Sequence, residues 1–415
     1  MKYKYFCLFI ILFSFIPSIS VYTETQEQPR YGGTFTAAVG YDPKSFNGLL
    51  KMWSYTTVIN VNIFNRLLKY DENWELEPDL ATSWEISEDF TYYKFYLAHN
   101  VSWHDGVPFT ASDVKFHFEL AMETVTSMIG TRLKDKLEYI NIIDDYTIEF
   151  QFNEKILPYD WIVDFHADSF ILPKHLYEGT DIETNPHNLN PIGTGPFKFM
   201  RYKSDEYIIL EANKDYFKGS PYLDKVIIKV IPTPETALVA LETGGIDAMG
   251  SKVNVPIVDV SRLSDDPTYY IQSDIGQYPI RLVFNWRDIA WEKHPWLADK
   301  KVRQAIANAI DQDFISDVIF EGLVPPQKSA LFVGYWAYTD EYDYPYDPDE
   351  ANRLLDEAGY PIKGDGFRFT IKAPIYSRQY MSEVTEAVKE MLRNVGINYD
   401  YTMVEATAYV AQIYK

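Results

Sequence analysis

Residues 367–404 read FRFTIKAPIYSRQYMSEVTEAVKEMLRNVGINYDYTMV. Aromatic and β-branched residues over 367–373 predict a strand. Val384, Val388, Met391 and Val395 then recur at helical spacing, and Gly396 supplies the stop. Asn398 to Val404 returns at once to strand composition. Strand, helix and strand in this order predict a parallel pair, because the helix carries the chain back to its starting end. Just upstream, Asp347-Pro348-Asp349-Glu350 joins an N-cap, a proline at the first helical position and an acidic third residue. Leu354, Leu355 and Ala358 continue that helix, and Gly359 ends it. The fold class read from this stretch is α/β.

Further toward the N-terminus the rhythm changes. Residues 34–39, 92–97, 146–152, 207–211 and 226–231 read as strands, with fewer helices between them. Thr110-Ala111-Ser112-Asp113 is a capping box ahead of Val114, Phe118 and Met122. Val302, Ile306 and Ile310 form an apolar stripe; Asp311 then caps a helix through Phe314, Ile315, Val318 and Ile319 that Gly322 ends. No repeat of 20 to 50 residues is visible, which argues against solenoids and propellers. The chain reads as α/β lobes with a β-rich or α+β insert.

A length of 415 residues suits two or three domains. The 38 Lys and Arg against 60 Asp and Glu give a net charge of −22, the reverse of a nucleic-acid-binding footprint. The first twenty residues have the form of a secretory signal. Lys2 and Lys4 precede the apolar run Phe6–Ile16, then come Pro17 and the small residues around Ser18-Ile19-Ser20. Cys7, the one cysteine, lies in that run, so the exported chain is expected to carry no disulfide. Removal of the signal would free the chain; its retention would leave a membrane anchor. At the other end an apolar-patterned helix opens at Thr407 and the sequence stops inside it, so the chain is expected to be C-terminally truncated.

Signatures of catalysis are missing. There is no nucleophile elbow, zinc-protease helix, Walker loop or EF-hand loop. Gly193-Thr194-Gly195 has part of a phosphate loop's composition, but Pro196 blocks the helix start such a loop needs. His99, His104 and His117 could meet at a metal only by folding together, and they read better as packing or surface residues. Adjacent acids such as Asp144-Asp145 and Asp265-Asp266 are unremarkable among 60, and Asp265-Asp266-Pro267 reads as a turn. The unusual feature is 25 Phe, 33 Tyr and 9 Trp, with Tyr41, Trp53, Tyr55, Trp103, Trp286, Trp291, Trp336 and Tyr338 in polar loops. Some are expected to line a cleft, where aromatic rings offer area with a polar handle.

Several segments, collinear over nearly all of residues 31–415, together resemble the family 5 solute-binding proteins of ABC importers, the group of oligopeptide- and dipeptide-binding proteins. They are Gly32-Gly33-Thr34-Phe35 with Tyr41-Asp42-Pro43-Lys44-Ser45-Phe46-Asn47, Phe64-Asn65-Arg66-Leu67-Leu68, and Leu80-Ala81-Thr82-Ser83-Trp84. The most specific is Val101-Ser102-Trp103-His104-Asp105-Gly106-Val107-Pro108-Phe109-Thr110-Ala111-Ser112-Asp113-Val114. Asn190-Pro191-Ile192-Gly193-Thr194-Gly195-Pro196-Phe197, Asp299 to Ile306 and Tyr346 to Tyr360 complete the set.

The resemblance implies a periplasmic-binding-protein-like fold, with two α/β lobes around a ligand cleft and an additional inserted α+β domain. The expected boundaries are a signal peptide at 1–20, lobe I at 31–65 and 190–284, the inserted domain at 66–189, and an incomplete lobe II at 285–415. It implies an exported, monomeric protein that captures peptides as the cleft closes and passes them to a membrane permease. No cofactor, metal or nucleic acid is expected, and no enzymatic activity. The expected ligand-binding residues are Tyr41, Asp42, Tyr278, Asn285 and Trp286, with Asp42 and Asn285 bonding the ligand backbone and the aromatics forming walls. The same fold binding oligosaccharides, or nickel complexes, is the alternative. A secreted glycoside hydrolase with two opposed carboxylates is the remote one.

Overall fold

The computed structural model describes residues 30–50, 54–71, 75–157, 169–250, 253–272, 280–284, 292–329, 338–341, 344–377, 380–405, 408–409 and 412. The chain divides into two compact units, Met1–Asn254 and Val255–Lys415. The signal-like segment 1–20, with Cys7, lies outside the described residues, as does most of the helix expected from Thr407.

In chain order the strands of the first unit are β1 (Thr34–Val39), β2 (Leu68–Tyr70), β3 (Leu76–Pro78), β4 (Ala81–Ile86), β5 (Tyr92–Leu97), β6 (Leu137–Asp144), β7 (Thr147–Phe152), β8 (Phe197–Lys203), β9 (Tyr207–Ala212), β10 (Lys225–Val230) and β11 (Ala248–Met249). One sheet has the order β11-β1-β10-β9-β8. In it β1 runs parallel to both β10 and β11, whereas β9 is antiparallel to β10 and to β8. A second sheet, β4-β5-β7-β6, is wholly antiparallel, and β2 and β3 form a small hairpin. Residues 34–39 and 197–249 thus share one sheet and residues 81–152 form the other.

The strand sequences explain the two cores. β5 and β7 alternate half-buried and buried positions, the period of a pleated strand with one face covered. Tyr93, Phe95, Phe150 and Phe152 point inward and meet Val114 and Phe118 of the helix Ala111–Glu123. The rings pack edge to face, Phe118 on Phe150 at 5.2 Å and Phe95 on Phe150 at 5.8 Å. That helix starts where the capping box predicts. Thr110 Oγ1 accepts the Ser112 N–H, and Asp113 Oδ2 accepts the Thr110 N–H at 3.0 Å. Burial pushes the Asp113 carboxyl up, and the amides of Thr110 and Lys174 oppose that. The other core lies against the five-stranded sheet, where Ile208, Leu210, Val226 and Ile228 meet Phe46, Ile59 and Ile63.

In the second unit β12 (Phe369–Tyr376) pairs in parallel with β13 (Ile397–Val404) over eight residues, from Phe369↔Ile397 to Tyr376↔Val404, and the helix Met381–Asn394 connects them. Helices Lys300–Asn308 and Pro348–Glu357 add Val302, Ile306, Leu354 and Leu355 to the same core. The expected helix after Asp311 is a single α turn, Gln312–Phe314, continued as a π-helix over Ile315–Ile319. The division of the chain falls after Asn254. Helix Ile257–Ser264 belongs to the second unit, where its first amide donates to the Tyr380 hydroxyl at 2.8 Å. Leu282 and Phe284 pack on the second unit's core.

β12 begins two residues later than the sequence suggests because Arg368 is an anchor. Its guanidinium is buried, with only 2% of the residue exposed. It donates to the Val395 carbonyl at 2.9 Å, the Tyr360 carbonyl at 2.6 Å, Asn352 Oδ1 at 2.9 Å and the Asp356 carboxylate. One side chain thereby ties the end of helix Pro348–Glu357 to the Gly396 turn. Replacing it by methionine keeps much of the volume and strands the buried Val395 carbonyl and the half-buried Tyr360 carbonyl. Arg368→Met is expected to destabilise the second unit by about 3 kcal/mol. Amide exchange across 369–404 in the two proteins measures the loss, and unchanged protection there would refute the anchor.

Candidate binding site at the carboxyl ends of the parallel strands

β1, β10 and β11 point the same way, so their carboxyl ends lie side by side; Val39 is level with Val230, and Ala38 with Met249. In open sheets with parallel strands this is where ligands bind, because the loops there diverge and leave backbone groups to be met. The loops at this end are 40–47 after β1, 231–233 after β10 and Gly250 after β11. Ile231 N–H still bonds to the Val39 carbonyl at 2.9 Å. A Cβ on Gly250 would stand 2.6 Å from the Ala38 carbonyl oxygen, so only glycine lets the end of β11 close in. The helix Pro234–Glu242 begins at the same end, with proline in its first turn.

Of the expected ligand residues, Tyr41 is 51% exposed, at the start of the loop after β1. Asp42 follows it in the same loop. It is 6% exposed and turned into the protein. Its Oδ2 accepts from Tyr202 Oη at 2.6 Å, Ser204 Oγ at 2.9 Å and Lys44 Nζ at 2.9 Å. Burial raises its pKa, and these hydrogen bonds outweigh that, so the carboxyl stays below the usual range. All three donors go to Oδ2; Oδ1 is buried and has no hydrogen-bond partner in this structure. Tyr278, Asn285 and Trp286 lie outside the described residues. Tyr202 and Ser204 are the functional neighbours that sequence reasoning missed. They sit 160 and 162 residues from Asp42, at the end of a strand with no motif around it.

The other candidates resolve into structural roles. Trp103, expected among the loop aromatics, is 2% exposed and sits edge-on to Phe109 in the core. Trp53, Trp291 and Trp336 lie outside the described residues. His99 stacks on Tyr146 at 4.1 Å, beside a surface hollow of about 380 Å³ that Asp144 and Asp145 also line. His117 is buried on the inner face of its helix. Among the described residues no three His, Cys, Asp or Glu side chains gather as a metal site, and no helix is long and apolar enough to cross a membrane. Gly193 and Gly195 meet backbone: a Cβ on Gly193 would lie 1.8 Å from the Ile63 carbonyl oxygen, and Gly195 N–H donates to that oxygen at 2.8 Å.

Residues 75–415 match the sequence profile of the bacterial extracellular solute-binding proteins, family 5 (middle). A putative ABC transporter peptide-binding protein of Brucella ovis is 33% identical over 389 residues, which span 92% of this chain and 70% of that one. The oligopeptide-binding protein AppA of Bacillus subtilis is 31% identical over 408 residues, 93% of this chain and 72% of its own. Among solved structures, the periplasmic binding protein DppA of Helicobacter pylori, in complex with the peptide STSA, superposes with a TM-score of 0.75 at 30% identity. It covers 92% of this chain and 76% of that one.

The matched region contains the 101–114 block, and His104 is its hub. Nδ1 accepts the Gly193 N–H at 3.2 Å, and Nε2 lies 3.0 Å from the Gly195 carbonyl, so the ring is neutral with its proton on Nε2. The backbone of His104 also donates to the Gly193 carbonyl at 2.9 Å. Burial lowers the imidazole pKa to about 4, from an unfolded value near 6.5. The folded-state value is depressed, so the unfolded chain binds the extra proton first. The stabilisation is whole above pH 6.5 and drains away as pH falls toward 4. Between pH 7 and pH 4.5 the protein is expected to lose about 2–3 kcal/mol more than His104→Gln, which cannot titrate. Urea unfolding at both pH values reads the difference; parallel losses in the two proteins would remove His104 from the acid response.

Proposed function

The chain belongs to the bacterial extracellular solute-binding proteins of family 5, and from that premise we propose that it binds peptides outside the cytoplasm and delivers them to the permease of an ABC importer. Members of this family bind solutes for transporters; they are not enzymes. The observation that carries the peptide reading is the likeness, over 92% of this chain, to a binding protein whose structure holds a peptide. Two relatives named as peptide-binding proteins point the same way.

The physical arrangement suits such a ligand. An extended peptide has alternating amides and carbonyls, and the loops at the carboxyl ends of β1, β10 and β11 present the complementary backbone groups. Tyr41 stands among them with an amphipathic ring, which holds an apolar side chain without demanding one sequence. Tyr278, Asn285 and Trp286 are proposed as further wall and hydrogen-bonding residues. The signal-like segment and the family support export, and the net charge of −22 over the whole sequence favours solubility.

Native mass spectrometry of the exported protein tests the ligand class. Co-purified masses spaced by amino-acid residues are expected; additions in hexose or pentose units would replace peptides by oligosaccharides. Tyr41→Ala is expected to weaken binding of the co-purified peptides about three- to tenfold in calorimetry, the worth of one partly buried aromatic contact. Unaltered affinity would remove Tyr41 from the site.

A further inference from the structure

The loop that carries Tyr41 is anchored by side chains on both its polar and its apolar side, and both anchors run through one residue. Tyr202, at the end of β8, places its hydroxyl 2.6 Å from Asp42 Oδ2 and 2.9 Å from the Pro43 carbonyl oxygen. Its one proton goes to the carboxylate, the stronger acceptor. The same ring lies edge-on to Phe46 with centroids 5.7 Å apart. Phe46 is fully buried, and its amide donates to the Asn188 carbonyl at 2.8 Å. Asn47 Nδ2 reaches Asn188 Oδ1 at 2.9 Å. Ser204 and Lys44 complete the donors to Asp42, and Lys44 also faces Asp205 at 3.5 Å.

Counting from the sheet, Val39 is the last residue held by the β1 ladder and Asp42 is the next fixed point. Only Gly40 and Tyr41 lie between them. A two-residue span between fixed ends has little conformational freedom, so the Asp42 anchor limits where the Tyr41 backbone, and with it the ring, can stand. We propose that Asp42 and Tyr202 are a positioning pair. They do not touch ligand; they hold Tyr41 in the orientation that gives the site its preference for a bulky apolar side chain over a small one. This rests on the peptide reading above and assigns Asp42 a different task from the ligand contact expected of it.

The test uses the full chain and four variants: Tyr41→Ala, Tyr202→Phe, Asp42→Asn and the Tyr41→Ala/Tyr202→Phe double. The probes are the tripeptides Ala-Phe-Ala and Ala-Ala-Ala in calorimetry, with amide exchange of residues 40–47 read without peptide. Tyr202→Phe keeps the ring on Phe46 and removes only the hydroxyl. It is expected to speed exchange at the Phe46 amide, which donates to the Asn188 carbonyl, about five- to tenfold. It is also expected to cut the Ala-Phe-Ala preference as far as Tyr41→Ala does, with no further loss in the double variant. A merely structural role for the hydroxyl would lower stability and leave the two effects additive. Asp42→Asn repeats the measurement if Tyr202→Phe folds poorly. Additive losses, or exchange unchanged at the Phe46 amide, would overturn the proposal. Failure of the wild-type chain to bind either tripeptide would strike the peptide reading, while the exchange data would still decide whether the pair holds the loop.

Discussion

The first unit depends on one close approach, that of the Gly193–Gly195 backbone to the last carbonyl of helix Ser54–Ile63. No side chain fits there, since a Cβ at either glycine would intrude on the Ile63 carbonyl group. Around this contact a chain of polar groups is paired. His104 grips Gly193 and Gly195 from one side, and Lys198 Nζ caps the His104 carbonyl at 3.3 Å. Thr194 donates to Asn65 Oδ1 at 3.0 Å, and Asn65 in turn bonds Asp79, which also takes Lys218 Nζ at 2.7 Å. Segments near residues 63, 79, 104, 194 and 218 are thereby fixed to one another. Residues 63 and 79 lie where the chain passes from one sheet to the other and residue 194 where it returns, so the contact sets how the two sheets of this unit share a body.

The second unit uses a different device for a similar end. Arg368 joins two helix ends and a strand start through one buried guanidinium, whose planar fork serves several carbonyls at once. In both units a polar hub does what apolar packing alone cannot, which is to choose one register among many of comparable hydrophobic burial. The price is sensitivity at single positions.

Much of the fold was legible in the sequence because its signals are local. The capping box at Thr110, the proline-started helix after Asp347 and the glycine stops at 359 and 396 each act within four residues, and each appears where expected. The βαβ pattern over 367–404 likewise needs only period and order. What was not legible depends on distant partners. Asp42 is read from the sequence as a loop residue, and nothing near it in sequence reveals that Tyr202 and Ser204 will bond it. Trp103 looked available for a cleft, yet it lies inside. The π-helix over Ile315–Ile319 has the same apolar spacing as an ordinary helix and so gave no separate signal.

The parallel pairing of β1 with β10 also governs the order in which the chain can acquire structure. The four-stranded sheet closes within residues 81–152, and β12 finds β13 across a single helix. β1, by contrast, lies beside a strand far along the chain, and the Gly33 amide bonds an Asp224 carboxylate 191 residues away. A chain emerging N-terminus first must therefore carry its opening strand unpaired until β10 has followed it out. For any polypeptide that crosses a membrane unfolded, such a delay is useful. The opening strand remains threadable longest, and the central sheet locks only when most of the first unit has emerged.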